Sequence, residues 1–213
     1  MHFYECTVVT KDSVTEEGLT KILSLVHETV ALFKGEVLLE DRWGTLRLAQ
    51  PYSNGTHRGN FSLLFLKVSG EAVKEISRKL KIAEEVLRFL VLKADPSLDQ
   101  ETLLKTYCSP FSKKYRGSVV EEEEDLDGMG MGQEKDRKKF SRKKSCWFTA
   151  KKIQANWKDP QTYRWLINEF GKISPARVSG ISRLHQTISS REIKRARQLG
   201  VASSLSGFIA SPL

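Results

Sequence analysis

Apolar positions in the first 95 residues alternate between two periods. Phe3 to Val9 is a short strand-like run. Leu19, Ile22, Leu23, Val26, Val30 and Phe33 then fall at helical spacing, with Ser13 and Glu16 placed as a capping box ahead of them and Gly35 as a stop. Two extended segments follow, residues 36–48 and 60–68, separated by residues 51–59 with Asn54-Gly55 as the turn. Ser69 caps a second helix whose apolar face is Val73, Ile76 and Leu80, and Val86 to Leu92 is a last strand. The order β-α-β-β-α-β predicts a ferredoxin-like sandwich over residues 1–95: a four-stranded antiparallel sheet with both helices on one face.

Residues 96–136 lack sustained periodicity. Leu103-Leu104 to Tyr107 and Val119-Val120 are isolated apolar spots, Glu121 to Asp127 is an acidic run, and Gly128 to Gly132 is a Gly/Met tract. This composition predicts a disordered linker. Residues 137–213 regain helical signals. Asp159-Pro160 is a helix start, and Tyr163, Leu166, Ile167 and Phe170 form a stripe ending at Gly171. A second helix starts either at Ser189, with Glu192 completing a cap, or earlier near Ser182. The C-terminus from Gly200 to Leu213 is small, Ser-rich and weakly apolar, with Phe208 expected to pack locally. The fold class is α+β: a ferredoxin-like sandwich, a linker, and a small, mainly helical, basic domain.

Charge separates the parts further. The net charge is +9 over 213 residues. Residues 1–95 hold 13 basic and 13 acidic side chains, residues 96–136 hold 5 and 10, and residues 137–213 hold 17 and 3. A neutral module, an acidic connector and a strongly basic module point to a polyanionic partner for the last part. The candidate contacts there are Arg137, Lys138, Lys139, Arg142, Lys143, Lys144, Lys172, Arg177, Arg183, His185, Arg191, Lys194, Arg195 and Arg197. Arg191, Lys194 and Arg195 share one helical face, and their mutual repulsion is relieved by a polyanion. Arg42, Arg47 and Arg58 are candidates in the first module.

The ferredoxin-like order raises the question of an RNA-recognition module. Its third strand needs two central aromatics that stack on bases, and here those positions are Asn60 and Ser62. Phe61, Leu63 and Phe65 read instead as one buried face. Three cysteines, none at CxxC spacing, give no disulfide framework and suit a reducing cytosol. No signal peptide or membrane-length apolar run is legible, and no nucleophile–base constellation suggests an enzyme.

Specific strings narrow the reading. Glu40-Asp41-Arg42-Trp43-Gly44, Arg47-Leu48-Ala49 and residues 82–89 (IAEEVLRF) resemble the bacterial small-subunit ribosomal protein six family, as does Tyr4-Glu5 near the start. Residues 146–150 (CWFTA), Trp157-Lys158-Asp159, residues 171–180 (GKISPARVSG), Arg183 to Gln186 and residues 193–199 (IKRARQL) resemble the small-subunit ribosomal protein eighteen family across about 137–208. The double resemblance implies a fusion of two proteins that pair with each other, bind the central domain of small-subunit ribosomal RNA beside neighbouring ribosomal proteins, and work in the bacterial cytoplasm without a cofactor. A nonribosomal RNA regulator and an engineered fusion are the alternatives. Some members of the second family carry four Cys/His zinc ligands. The matching positions are read here as Cys146, Thr149, Ile181 and His185, and only two can bind zinc, so no metal is expected. Cys146 is then expected as a small packed residue, and His185 at the surface or facing the RNA.

Overall fold

The computed structural model describes residues 1–52, 55–94 and 146–212, together with Gln100, Glu101, Leu104 and Tyr107 between them. The first module runs β1 (His2–Lys11), α1 (Glu16–Leu32), β2 (Glu36–Arg47), β3 (Arg58–Val68), α2 (Gly70–Ile82) and β4 (Val86–Lys93). Every pairing in its sheet is antiparallel, in the order β4-β1-β3-β2. The expected ferredoxin-like sandwich is therefore present.

The strand period divides the sheet's side chains between two cores. Cys6, Val8, Leu64, Leu66 and Val68 face α1 and α2 and meet Ile22, Leu23, Val26, Val30, Ile76 and Leu80. Val9, Phe61, Leu63 and Phe65 point the other way. They are buried as expected, but against the second module rather than within the first.

Local details differ from the expectations in two places. The α1 cap is Thr15, whose Oγ1 accepts from the Gly18 N–H at 3.3 Å, not Ser13. The left-handed residue after α1 is Lys34 (φ 54°), not Gly35. Gly35 is required by crowding: a Cβ there would lie 2.6 Å from Val68 Cγ1 and 2.9 Å from the Lys67 carbonyl. Ser69 does cap α2, accepting from the Ala72 N–H.

The second module comprises α3 (Trp147–Lys151), two 3-10 turns (Pro160–Thr162 and Arg164–Leu166), a short α4 (Ala176–Ser179) and α5 (Arg183–Gln198). The helix expected from Asp159 to Gly171 is not formed. Asp159 does accept from the Gln161 N–H at 3.1 Å, but Tyr163 leaves helical geometry at φ −133°. Its ring is wholly buried and its hydroxyl donates to the Trp157 carbonyl, so tertiary packing overrides the local stripe. Leu166 and Ile167 are still buried; Phe170 is 73% exposed. Ile167 instead bridges to Ile173 around a tight turn at Gly171 (φ +71°).

α5 begins at the earlier of the two expected starts. Ser182 caps it, accepting from the His185 N–H, while Ser189 is buried mid-helix. Past Gly200 the chain folds back through an Ala202–Ile209 bridge and adds Ser211–Pro212 as β5 along β2. Phe208 does not pack: it is 73% exposed, and Ala210 is the buried residue of this segment.

Candidate nucleic-acid interface

Two surfaces matter: the junction that joins the modules and the basic face that remains exposed. The junction starts from a bulge. β2 shifts register between Arg42 and Gly44, which leaves Trp43 outside the ladder and Gly44 at φ +81°. A bulge of this kind re-aims a side chain. The Trp43 ring stacks on Phe61 at 6.1 Å and meets Trp157 of the second module at 5.9 Å. Its Nε1–H reaches Asp41 Oδ2 (3.1 Å) and Tyr107 Oη (2.9 Å), and the Tyr107 hydroxyl donates to Asp41 at 2.5 Å. Burial and then the Asp41 hydrogen bond push the Tyr107 hydroxyl well above the usual phenol range. Tyr107 belongs to the expected linker, and its ring and hydroxyl meet Phe65, Trp43 and Asp41 at the junction. The acidic run and Gly/Met tract lie outside the described residues.

Polar contacts tie the junction at its edges. Lys158 Nζ is 2.8 Å from Glu5 Oε1 and sits over the rings of Phe65, Tyr107 and Trp157. Tyr52 donates to the Leu199 carbonyl at 2.8 Å, the Ala49 N–H to the Gly200 carbonyl at 2.9 Å, and Arg88 lies over the Tyr52 ring. Gln50 Oε1 accepts from both the N–H and the hydroxyl of Ser204.

The exposed face is built by α5. Ile193 and Ala196 are fully buried, which turns Arg183, Thr187, Arg191, Lys194 and Gln198 outward in one stripe. Lys172 and Arg177 are also exposed. Arg195 and Arg197 are not free in the same way. Arg195 pairs with Glu192 at 2.5 Å, and Glu192, itself buried, also accepts from the Trp157 N–H. Arg197 donates to the Gly171 carbonyl, and burial lowers its affinity for its proton. Both therefore brace the module from within. Glu192 already supplies a counterion to the crowded helix, which the expectation of unrelieved repulsion did not include.

In the first module Arg42 pairs with Glu40 at 2.9 Å. Arg47 and Arg58 are exposed and lie directly opposite each other in the β2–β3 register. Like charges so placed repel, and an anion between them relieves the repulsion. Arg137, Lys138, Lys139, Arg142, Lys143 and Lys144 lie outside the described residues.

His185 is turned partly inward. Its ring stacks on Phe148 at 5.3 Å, and Nδ1 meets Ser182 Oγ at 2.9 Å and Cys146 Sγ at 3.3 Å. Cys146 is half-exposed rather than packed. Burial pushes its thiol up, but the backbone N–H groups of Ser182 and Thr149, and then their hydroxyls, more than offset this and hold it at about 6. Ser182, not Ile181, stands beside this pair; Ile181 is buried in the core. Among the described residues no group of three or more His, Cys, Asp or Glu side chains gathers closely enough to hold a metal, and no helix is long and apolar enough to cross a membrane.

The fold and the junction define a ferredoxin-like sheet docked, within one chain, on a small basic helical module. Family comparison gives each part its place. Residues 3–93 match the family model of ribosomal protein S6, and residues 151–202 that of ribosomal protein S18. The chain is 39% identical over 93 residues to small ribosomal subunit protein bS6 of Sulfurovum sp., spanning 44% of this chain and 72% of that protein. It is 39% identical over 94 residues to bS6 of Clostridioides difficile, spanning 44% and 100% respectively. It is 42% identical over 67 residues to bS18 of Treponema pallidum, spanning 32% and 68%. The chain belongs to the S6 family in its first module and to the S18 family in its second, an S6–S18 fusion. Both are structural families of the small ribosomal subunit.

Proposed function

We propose that this protein is a cytoplasmic structural constituent of the bacterial small ribosomal subunit. Its paired modules bind the central domain of the small-subunit RNA, stabilise the platform and contact neighbouring small-subunit proteins. The observation that carries this is the outward stripe Arg183–Arg191–Lys194 on α5, with Lys172 and Arg177 also exposed, on a module whose apolar side is buried against the sheet. The mechanism is positioning. Lysine and arginine neutralise phosphates, release counterions and hold an RNA junction in one shape. The apolar junction supplies the rigidity. One chain makes the pairing intramolecular, at an effective concentration of about a millimolar for a suitable linker. Sedimentation tests the proposal. The intact chain should travel with small subunits; recovery only in the slowly sedimenting fractions would reject it and favour a regulator that acts on other RNA.

A further inference from the structure

Two of the four tryptophans, Trp43 and Trp157, are spent on the junction, but Trp165 is 42% exposed. It lines a cleft of about 540 Å³ together with Gln161, Arg164, Ile167, Asn168, Glu169 and Gly207. Its ring is propped by Trp147 at 5.4 Å, edge-on, and by Phe148 at 5.9 Å, so it is held rather than loose. Arg164 is exposed and forms no ion pair among the described residues. Asn168 uses its Oδ1 on the Lys172 N–H, which leaves its amide hydrogens available. Gly207 keeps the far wall low: a Cβ there would lie 3.3 Å from the Asn168 carbonyl. The turn that follows Asn168 and Glu169 is tied to α5, the helix that carries the basic stripe, because Arg197 donates to the Gly171 carbonyl.

We propose that this cleft seats the base of an unpaired nucleotide in the RNA that α5 holds. The inference rests on the RNA-binding reading above and adds a second kind of contact to it. A flat indole takes a base face, the carboxamides of Gln161 and Asn168 and the Glu169 carboxylate meet hydrogen-bonding groups on the base edge, and Arg164 takes the adjoining phosphate. A protein segment fits less well, since the lining offers a single apolar side chain, Ile167, beside the indole, and the module around it is strongly basic.

The test uses the full chain and a transcript of the small-subunit central domain. Trp165→Leu keeps apolar bulk against Phe148 but removes the ring; Trp165→Phe keeps a ring. Loss of a base stack corresponds to an affinity loss of about 5- to 150-fold. Trp165→Leu should show a loss in that range with the salt dependence unchanged, Trp165→Phe should recover most of it, and both should keep the wild-type thermal midpoint. Equal RNA affinity for wild type and Trp165→Leu would overturn the proposal. If that variant also failed to join small subunits, the cleft would belong to a protein neighbour instead. Absence of binding by the wild-type chain would sink the RNA-binding reading itself, and this one with it.

Discussion

Lys158 of the second module reaches across the junction to Glu5 of the first, Nζ to Oε1 at 2.8 Å, with the two side chains only 10% and 17% exposed. Three aromatic rings surround the ammonium. Removing one partner strands the other in a poorly hydrated site, which costs about 3–5 kcal/mol. Lys158→Ala is therefore expected to destabilise the docked chain by that amount in urea titration. The double change Glu5→Met, Lys158→Met should recover much of it, because an apolar replacement of a buried pair is close to neutral. A loss below about 1 kcal/mol for Lys158→Ala would show that the pair is solvated and peripheral.

Gly200 marks the other edge of the junction. It sits at φ +73°, and a Cβ there would lie 3.2 Å from both Leu48 Cδ2 and the Tyr52 hydroxyl. Gly200→Ala should cost about 1–2 kcal/mol from backbone strain alone. It should also push Tyr52 away from the Leu199 carbonyl. Amide hydrogen exchange reads the effect directly, since the Ala49 N–H donates to the Gly200 carbonyl. Faster exchange at Ala49 with unchanged exchange in β1 is the expected result; equal protection in both proteins would argue that the clasp is slack.

The cysteines should differ sharply in reactivity. Burial pushes the Cys6 thiol up to about 12, while Cys146 is held at about 6. Alkylation followed by peptide mapping should show Cys146 reacting half-maximally near pH 6 and Cys6 silent until the chain unfolds. Cys146 titrates lower when folded than the ordinary value of 9.0, so its thiolate contacts stabilise the fold at alkaline pH. That contribution fades as pH falls through 6. Ser182→Ala removes one hydroxyl donor and should move the alkylation midpoint upward; an unmoved midpoint would remove Ser182 from the account.

The first module was legible because each element carries its own period, and each period matches the tertiary environment. Val8 and Val9 alternate and Ile22 to Val30 repeat at helical spacing; Val8 meets the two helices, and Val9 lies on the opposite face of the sheet. What periodicity could not show is that Phe61, Leu63 and Phe65 face a different part of the same chain. An apolar face looks the same whether a helix or a second module covers it. The stripe at Tyr163, Leu166 and Ile167 correctly marked burial and wrongly implied a helix, because Tyr163 is held by the Trp157 carbonyl rather than by its neighbours. The basic composition located the exposed face but not its members. Arg195 and Arg197 look equivalent to Arg191 and Lys194 in sequence, and only the positions of Glu192 and the Gly171 carbonyl separate them.

Arg191 and Lys194 are exposed, whereas Arg195 and Arg197 spend donors within the module. Arg191→Gln with Lys194→Gln should weaken RNA binding across all sequences and flatten the dependence of log K on log salt by roughly 0.7–0.9 for each phosphate left unneutralised. Thermal stability should stay within about 0.5 kcal/mol, as for other surface changes. Arg197→Gln should do the reverse. It leaves the Gly171 turn without its brace, so stability falls first and RNA affinity follows. Lys74→Gln, on the helical face of the first module, should alter neither quantity. Filter binding of the full chain at several salt concentrations, paired with thermal melts, separates these outcomes. A salt slope reduced by Arg197→Gln but untouched by the Arg191 and Lys194 pair would invert the assignment and place the phosphate path along the inner edge of α5.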